Sequence, residues 1–400
     1  PGHAGNGGQP LTNEKAGAYS QFANGQRSAG VGGRKCCCQC LALAEPMFSG
    51  KLVAHMRPVP ISNPPNPWSS TFVEYLEGAP EMKMDVYEDR TRTILARNDS
   101  PDVGFDYSVN PYRGCFHACA YCYARPGHEY LSFGAGTDFD RKIVVKVNAP
   151  ALLRQAFRKK NWRHDLVVFS GVTDCYQPLE ASYRLTRGCL EVCAEEKNPV
   201  AVITKAPLIE RDIDVLQSIG AAASAHVTVS VPLWPPERAR AVEPYAATPP
   251  PRMRIVRAMA DAGIPVSVNV APIIPGLGDE EIPRILSAAR DAGATSAGYV
   301  LLRLPGPVAE VFESRMRAAM PLRVERILHR IRETRGGKMY DPRFGVRGQG
   351  EGEYAAMIRN LFVSTATRLG LRVGCLSTGD TKRSPADAQP KQLTFHPLAP

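Results

Sequence analysis

Between residues 105 and 304 the chain repeats one pattern, a short run of β-branched residues followed by a helical stretch. The runs are FDYSV at 105–109, LVVFSG at 166–171, VAVITK at 200–205, HVTVSV at 226–231, VSVNVA at 266–271 and GYVLLRL at 298–304. A further extended run, KIVVKV, stands at 142–147. Each is nearly continuous in apolar character, as parallel strands covered on both faces are. Helical periodicity fills the gaps at Pro150–Lys160, Ser182–Lys197, Leu208–Ile219, Pro251–Ala262 and Glu280–Ala292. DAGIPVSV and DAGATSAGYV repeat a single design, a helix that ends at Gly and then a strand.

Repeated βα units of this spacing make a parallel sheet or barrel with right-handed crossovers. The expected fold is α/β, a partial (β/α)6 TIM-like barrel over 105–305, with function at the carboxyl ends of its strands. Past Pro307 the pattern turns helical, in VAEVFESRMRAAM, RVERILHRIRET and YAAMIRNLFVSTATRLG, so 306–375 is expected to form a helical C-terminal layer. Residues 58–104 read as a lead-in. Residues 1–57 are rich in Gly, Ala, Ser and Asn without periodicity, and read as a disordered or extraneous extension. The polar, aperiodic 376–400 reads as a flexible tail.

Hydrophobic residues make up 44% of the 400, enough for a substantial core. No run of eighteen apolar residues occurs, so a membrane span is not expected. No charged segment followed by an apolar one opens the chain, so secretion is not expected and a cytoplasmic location is. Eleven cysteines without such a leader point to thiols that are buried or bind metal, not to disulfides. Four of them lie in CCCQC, Cys36–Cys40, within the aperiodic extension. Adjacent cysteines chelate one ion poorly, so this run is read as bland.

Three others carry chemistry. GCFHACAYCYARP, from Gly114, places Cys115, Cys119 and Cys122 in a C-x3-C-x2-C spacing just after the first strand. Structural zinc takes four ligands, usually in two pairs. His117 is the nearest fourth donor, but it lies inside the x3 spacer, where its side chain would have to fold back. Three thiolates suit a cubane iron–sulfur cluster better, each holding one iron and leaving the fourth open to a small ligand.

This spacing, with Tyr121 before the last cysteine, resembles the signature of the radical S-adenosylmethionine (SAM) superfamily. NDSPDVGFDYSVNPYRGCFHACAYCYARPGHEYL, TDCYQPLE, TRGCLEV, VITKAPLIERDIDVL, EPYAATPPPRMRIVRAMADAGIPV, APIIPGLGDEEI and GYVLLRLP are similar, nearly in order, to a bacterial branch of that superfamily. The branch is related to spore photoproduct lyase and goes by the loose label of DNA repair photolyase. The likeness covers roughly residues 58–375. No flavin motif accompanies it.

The resemblance implies a [4Fe–4S] cluster on Cys115, Cys119 and Cys122, with the amino and carboxylate groups of SAM on the unique iron. It implies reductive cleavage of SAM to a 5′-deoxyadenosyl radical that abstracts hydrogen from a substrate, and a reductant such as flavodoxin or ferredoxin. Further contacts follow position by position. Ser170, Gly171, Thr173 and Asp174 match the segment set against the methionine amine, although an ordinary βα turn reads as well. Lys205 matches a position that faces the carboxylate, and Ser230 one that binds ribose hydroxyls. Ile274 and Gly276, in APIIPGLGDEE, match an adenine-contacting stretch, from which Pro275 departs. Asn269 and Arg303 stand at strand ends as polar candidates.

Two classes of substrate fit. The excess of Lys and Arg over Asp and Glu, 49 − 39 = 10, and the lyase resemblance favour a nucleic acid. Arg113 and Arg125 are candidate phosphate contacts; Arg252, Arg254 and Arg257 read more plainly as helix-surface charge. A small molecule or peptide is the other class, with the charge incidental, and a non-catalytic iron–sulfur or zinc protein is a third reading. Glu180, Glu243 and Asp341 stand in polar, aperiodic stretches and read as solvated carboxylates without a role. In spore photoproduct lyase a cysteine returns hydrogen to the product radical. The matching position here falls near Val172, which has no thiol, and Cys175 lies three residues on. Cys175 is a weak candidate for that donor and is read as a buried, inert cysteine. The expectation is therefore a lyase-like enzyme that does not repair the spore lesion.

Overall fold

The structure is a computed structural model that describes residues 84–374. The Cys36–Cys40 run, Cys375 and the expected extension and tail lie outside the described residues. Among the described residues eleven strands form: β1 Asp85–Asp89, β2 Leu95–Arg97, β3 Tyr107–Val109, β4 Tyr112–Arg113, β5 Lys142–Lys146, β6 Val167–Phe169, β7 Val200–Thr204, β8 Ala225–Ser230, β9 Val266–Ile273, β10 Ser296–Leu301 and β11 Arg372–Val373.

Eight of them make the main sheet, in the order β2-β3-β6-β7-β8-β9-β10-β11. Every neighbouring pair from β3 to β11 is parallel, and β2 is antiparallel to β3. The six expected strands are therefore present and wound in sequence order, each beside its predecessor. The winding runs one way, and the sheet stays open between β2 and β11. The strands read as continuous apolar runs because both faces are covered: Val167, Val200, Val227, Val266 and Val268 are all buried in one core with Leu190, Leu216, Ile255 and Ile285 of the surrounding helices. Burying each such side chain contributes about 1.5–3 kcal/mol.

The structure differs from the sequence expectation in several places. KIVVKV does not join the main sheet; β5 pairs with β1 and β4 in a separate three-stranded sheet. The main sheet gains β2 inside the expected lead-in and β11 inside the expected helical layer, strands of three and two residues that are too short to show a period. The expected helix Ser182–Lys197 is broken at Arg184, whose φ of 52° is left-handed, into Glu180–Tyr183 and Leu185–Glu195. A short helix, Pro236–Val242, was not foreseen.

After β10 the chain forms the helices Val308–Ala319 and Val324–Glu333. They do more than cover the sheet. Phe312, Met316, Ile327 and Leu328 build a second core with Ala239, Val242 and Ile274, and that core encloses Cys119, Ala120 and Tyr121.

Candidate active site

The cysteine loop leaves β3, passes through β4 and turns at Gly114, where φ is +75°. A Cβ at that position would stand 2.9 Å from the carbonyl oxygens of both Lys142 and Phe139, so only glycine lets the chain through. Beyond it the loop is pinned by its backbone. Cys115 N donates to Phe139 O at 2.9 Å, Ala120 N to Val242 O at 2.8 Å and Cys122 N to Cys119 O at 3.2 Å.

Buried polar side chains complete the support. Arg125 donates to the carbonyls of Cys119, Ala135 and Gly136 at 2.8, 3.0 and 2.7 Å, and to Asp140 Oδ1 at 2.8 Å. Arg315, from the C-terminal layer, donates to Ala118 O at 2.6 Å and pairs with the other oxygen of Asp140. The Tyr121 hydroxyl donates to Glu243, which also pairs with Arg252. Arg252 in turn donates to Ser230 O at 2.8 Å and Ala247 O at 2.7 Å. Burial works against the charge on Glu243, but Arg252 and Lys205 hold its carboxyl below the usual range.

These contacts correct three readings. Glu180, Glu243 and Asp341 are buried, not solvated. Glu180 accepts from the Tyr112 hydroxyl at 2.5 Å, from Thr186 N at 2.9 Å and from Arg211 at 2.7 Å. Arg252 is buried too, while Arg254 keeps to the surface beside Glu210. Arg125 is fully buried and engaged, so it does not face a phosphate at the surface.

Above the loop lies a cavity of about 640 Å³. Cys115, Cys119 and Cys122 line it together with Tyr121, Ser170, Gly171, Thr173, Asp174, Lys205, Ser230, Asn269 and Arg303. Residues expected from five separate strand ends therefore meet in one space. Ile274 and Gly276 do not. β9 runs on to Ile273, so Ile274 packs into the second core and a Cβ at Gly276 would meet Arg330 at 3.1 Å. Ala271 and Pro272 line the cavity instead. Tyr123, Val172 and Tyr299 also line it. Tyr123 follows the last cysteine of the motif, and nothing in its sequence surroundings marks it out. Its hydroxyl donates to Gly171 O, and the Arg303 guanidinium lies 5.3 Å over its ring.

Ser170 is held at φ +87°, a conformation side-chain-bearing residues avoid, and its Oγ accepts from Cys175 N at 3.2 Å. Asp174 accepts from Thr204 Oγ1 at 2.7 Å and from Lys205 N and Tyr176 N at 2.9 Å. It ties the turn after β6 to the end of β7, and His117 Nδ1 stands 3.5 Å from it. Burial lowers the pKa of His117.

The donor set fits a cluster. Among the described residues no three His, Cys, Asp or Glu side chains converge on one ion position, as a mononuclear zinc site needs. Thiolates on three different irons of a cubane need no such convergence. Burial pushes the Cys115 thiol up to about 12 and raises Cys119 and Cys122 as well, so metal binding there is coupled to loss of the thiol protons. Two buried polar atoms of cavity-lining residues, Asn269 Oδ1 and Arg303 Nε, have no hydrogen-bond partner among the described residues. Such atoms are costly to bury unless a ligand meets them.

A family model described as the radical SAM superfamily matches residues 109–289. Residues 109–289 thus carry a radical SAM domain, just under half of the chain. This superfamily of enzymes works with a [4Fe–4S] cluster and SAM. An uncharacterized protein of Mycobacterium tuberculosis is 39% identical over 224 residues, which are 56% of this chain and 66% of that one. One from Methanocaldococcus jannaschii is 29% identical over 184 residues, 46% of this chain and 66% of that one. The radical SAM chain thus aligns with just under two thirds of these relatives' length. Among solved structures, a spore photoproduct lyase mutant superposes with a TM-score of 0.54 at 17% identity, covering 75% of this chain and 86% of its own. A double mutant with bound AdoMet and dinucleoside spore photoproduct gives 0.53 at 17% identity, with the same coverage. At that identity the likeness is one of fold.

Cys175 is fully buried in the main core and absent from the cavity lining, whereas Val172 is 45% exposed and lines it. Cys175→Ala is expected to lower stability by about 1 kcal/mol, as loss of a small buried side chain does, and to leave SAM cleavage unchanged. Anaerobic cleavage assays on both proteins check this. Loss of cleavage in a folded variant would place the thiol in the chemistry.

Proposed function

We propose that this chain is a radical SAM enzyme in which Cys115, Cys119 and Cys122 hold the [4Fe–4S] cluster and the cavity above them takes SAM. The observation that carries the reading is the meeting of those three thiols with strand-end residues 170–174, 205, 230, 269 and 303 around one space. When bound, the cluster supplies one electron for cleavage of SAM to methionine and a 5′-deoxyadenosyl radical, which takes hydrogen from a substrate. The protein's own part is placement. The Ser170–Asp174 turn offers backbone and hydroxyl groups to the methionine end, Lys205 offers a positive charge to a carboxylate, and Ser230 and Asn269 offer polar atoms to the nucleoside. On Lys205 burial opposes the charge, but Cys119 and Glu243 hold its pKa above the usual lysine value.

For the substrate we propose a nucleic acid. The excess of ten basic residues supports it, as does the fold shared with spore photoproduct lyase, some of whose structures hold a dinucleoside spore photoproduct. A small molecule or peptide is the alternative. The electron donor is proposed to be a flavodoxin or ferredoxin, and the setting the cytoplasm. Among the described residues no helix is long and apolar enough to cross a membrane.

Anaerobic reconstitution with iron and sulfide, then reduction with dithionite in the presence of SAM, is expected to yield 5′-deoxyadenosine and methionine, slowly even without substrate. A protein that holds one zinc and no sulfide, or a reconstituted protein that forms neither product, overturns the reading. Retention on DNA that weakens steeply with salt is expected for a nucleic-acid substrate. Salt-independent passage favours the small-molecule alternative.

A further inference from the structure

Two arginines and one aspartate are buried against the cysteine loop, and their charges do not cancel. Arg125, Arg315 and Asp140 are 0%, 9% and 3% exposed. Each arginine takes one oxygen of the same carboxylate. Among the described residues neither has another acidic partner. Their remaining hydrogen bonds go to neutral carbonyls of Ala118, Cys119, Ala135 and Gly136. Arg315 Nε is buried with no hydrogen-bond partner among the described residues. One positive charge is thus left over in a place where an unmatched charge is costly.

The nearby groups that can carry the matching negative charge are the loop thiols. Arg125 grips the Cys119 carbonyl at 2.8 Å and Arg315 the Ala118 carbonyl at 2.6 Å, so both guanidinium groups stand against the loop that carries these thiols. Burial opposes the charge on Arg315, whereas Asp140 and, more weakly, Cys119 favour it. Three thiolates on an oxidised [4Fe–4S] core leave one net negative charge, which reduction doubles. A fixed positive charge beside the loop favours both states and favours the reduced one more.

We propose that Arg125 and Arg315, held together by Asp140, are positioning residues that clamp the cysteine loop and raise the reduction potential of the cluster it carries. This rests on the cluster reading above. It also gives the C-terminal layer a part in the chemistry, because Arg315 lies beyond residue 289, where the family match ends.

The test is a redox titration of the reconstituted full chain, followed by electron paramagnetic resonance, with iron and sulfide counted on each sample. Arg315→Gln removes the surplus charge, and its midpoint potential is expected to move to more negative values. Asp140→Asn removes the counter-charge and is expected to move it to more positive values. Arg315→Lys keeps the charge and is expected to stay with the wild type. Unchanged potentials in both Arg315→Gln and Asp140→Asn overturn the proposal. If Arg315→Gln fails to hold the cluster, the opposite shift in Asp140→Asn decides. Loss of cluster iron from all three variants, Arg315→Lys included, reduces the triad to a structural clasp and also overturns it. A wild-type protein without a cluster fails earlier, at the functional reading itself.

Discussion

Cys119→Ala is expected to give a folded protein without the brown iron–sulfur chromophore and with 5′-deoxyadenosine formation at the level of a protein-free control. The loop does not depend on this thiol for its shape. The Cys119 carbonyl, not its sulfur, is what Arg125 grips, at 2.8 Å. The backbone bonds from Cys115 N, Ala120 N and Cys122 N likewise survive the change. Removing the buried sulfur costs about 1 kcal/mol of packing, within what a domain of this size tolerates. The cluster has no such reserve, because two thiolates cannot hold a cubane against loss of iron to solvent. Iron and sulfide analysis, circular dichroism and the cleavage assay on one preparation separate the outcomes. A folded Cys119→Ala protein with full iron and sulfide would remove the loop from the cofactor site.

The largest stability effect is expected at Arg252. Arg252 and Glu243 are each 1% exposed and pair with one another. Arg252→Ala leaves the buried Glu243 carboxylate with the Tyr121 hydroxyl as its remaining hydrogen bond and Lys205 as its remaining favourable charge, and leaves the carbonyls of Ser230 and Ala247 without their donor. Breaking a buried pair from one side costs about 3–5 kcal/mol. For a unit of this size that lowers the melting midpoint by on the order of 10 °C. The measurement belongs on the cluster-free protein, so that loss of metal does not enter. Arg254→Ala is the control: Arg254 is 62% exposed beside Glu210, and surface changes of this kind stay within about 0.5 kcal/mol. Equal, small shifts for the two variants would mean that the network does not hold the site together.

The network also explains how the loop and the cavity are kept in register. Tyr121 belongs to the loop and Ser230 ends β8, and both hang on the same Glu243–Arg252 pair. The short helix Pro236–Val242 leads into Glu243, and its Val242 carbonyl accepts from Ala120 N. A segment without visible periodicity is therefore the bracket between the thiols and the strand that faces them.

Local pattern alone determined the strand order and the place of the thiols. A strand buried on both faces must be apolar along its whole length, so six such runs separated by helical periods leave little choice but sequential parallel winding. Three thiols within eight residues, Cys115 to Cys122, need no tertiary information to be read as one donor set. The need for glycine at 114 was not legible in this way, since the carbonyls it must pass are those of Phe139 and Lys142. What tertiary structure decided is which polar residues are inside. Glu180, Glu243, Asp140, Arg252 and Arg315 look in sequence like any solvated charge, because burial of a charge is set by a partner, and the partners are far away along the chain. Tyr121 and Glu243 are 122 residues apart, and Asp140 and Arg315 are 175. The adenine-side expectation at Ile274 and Gly276 failed to reach the cavity for a related reason: β9 extends to Ile273, and the pull of the second core on Ile274 is invisible until the C-terminal helices are folded against it. Short-range periodicity reports a residue's immediate neighbours, whereas the pairing of buried charges is settled only when distant segments meet and exclude water.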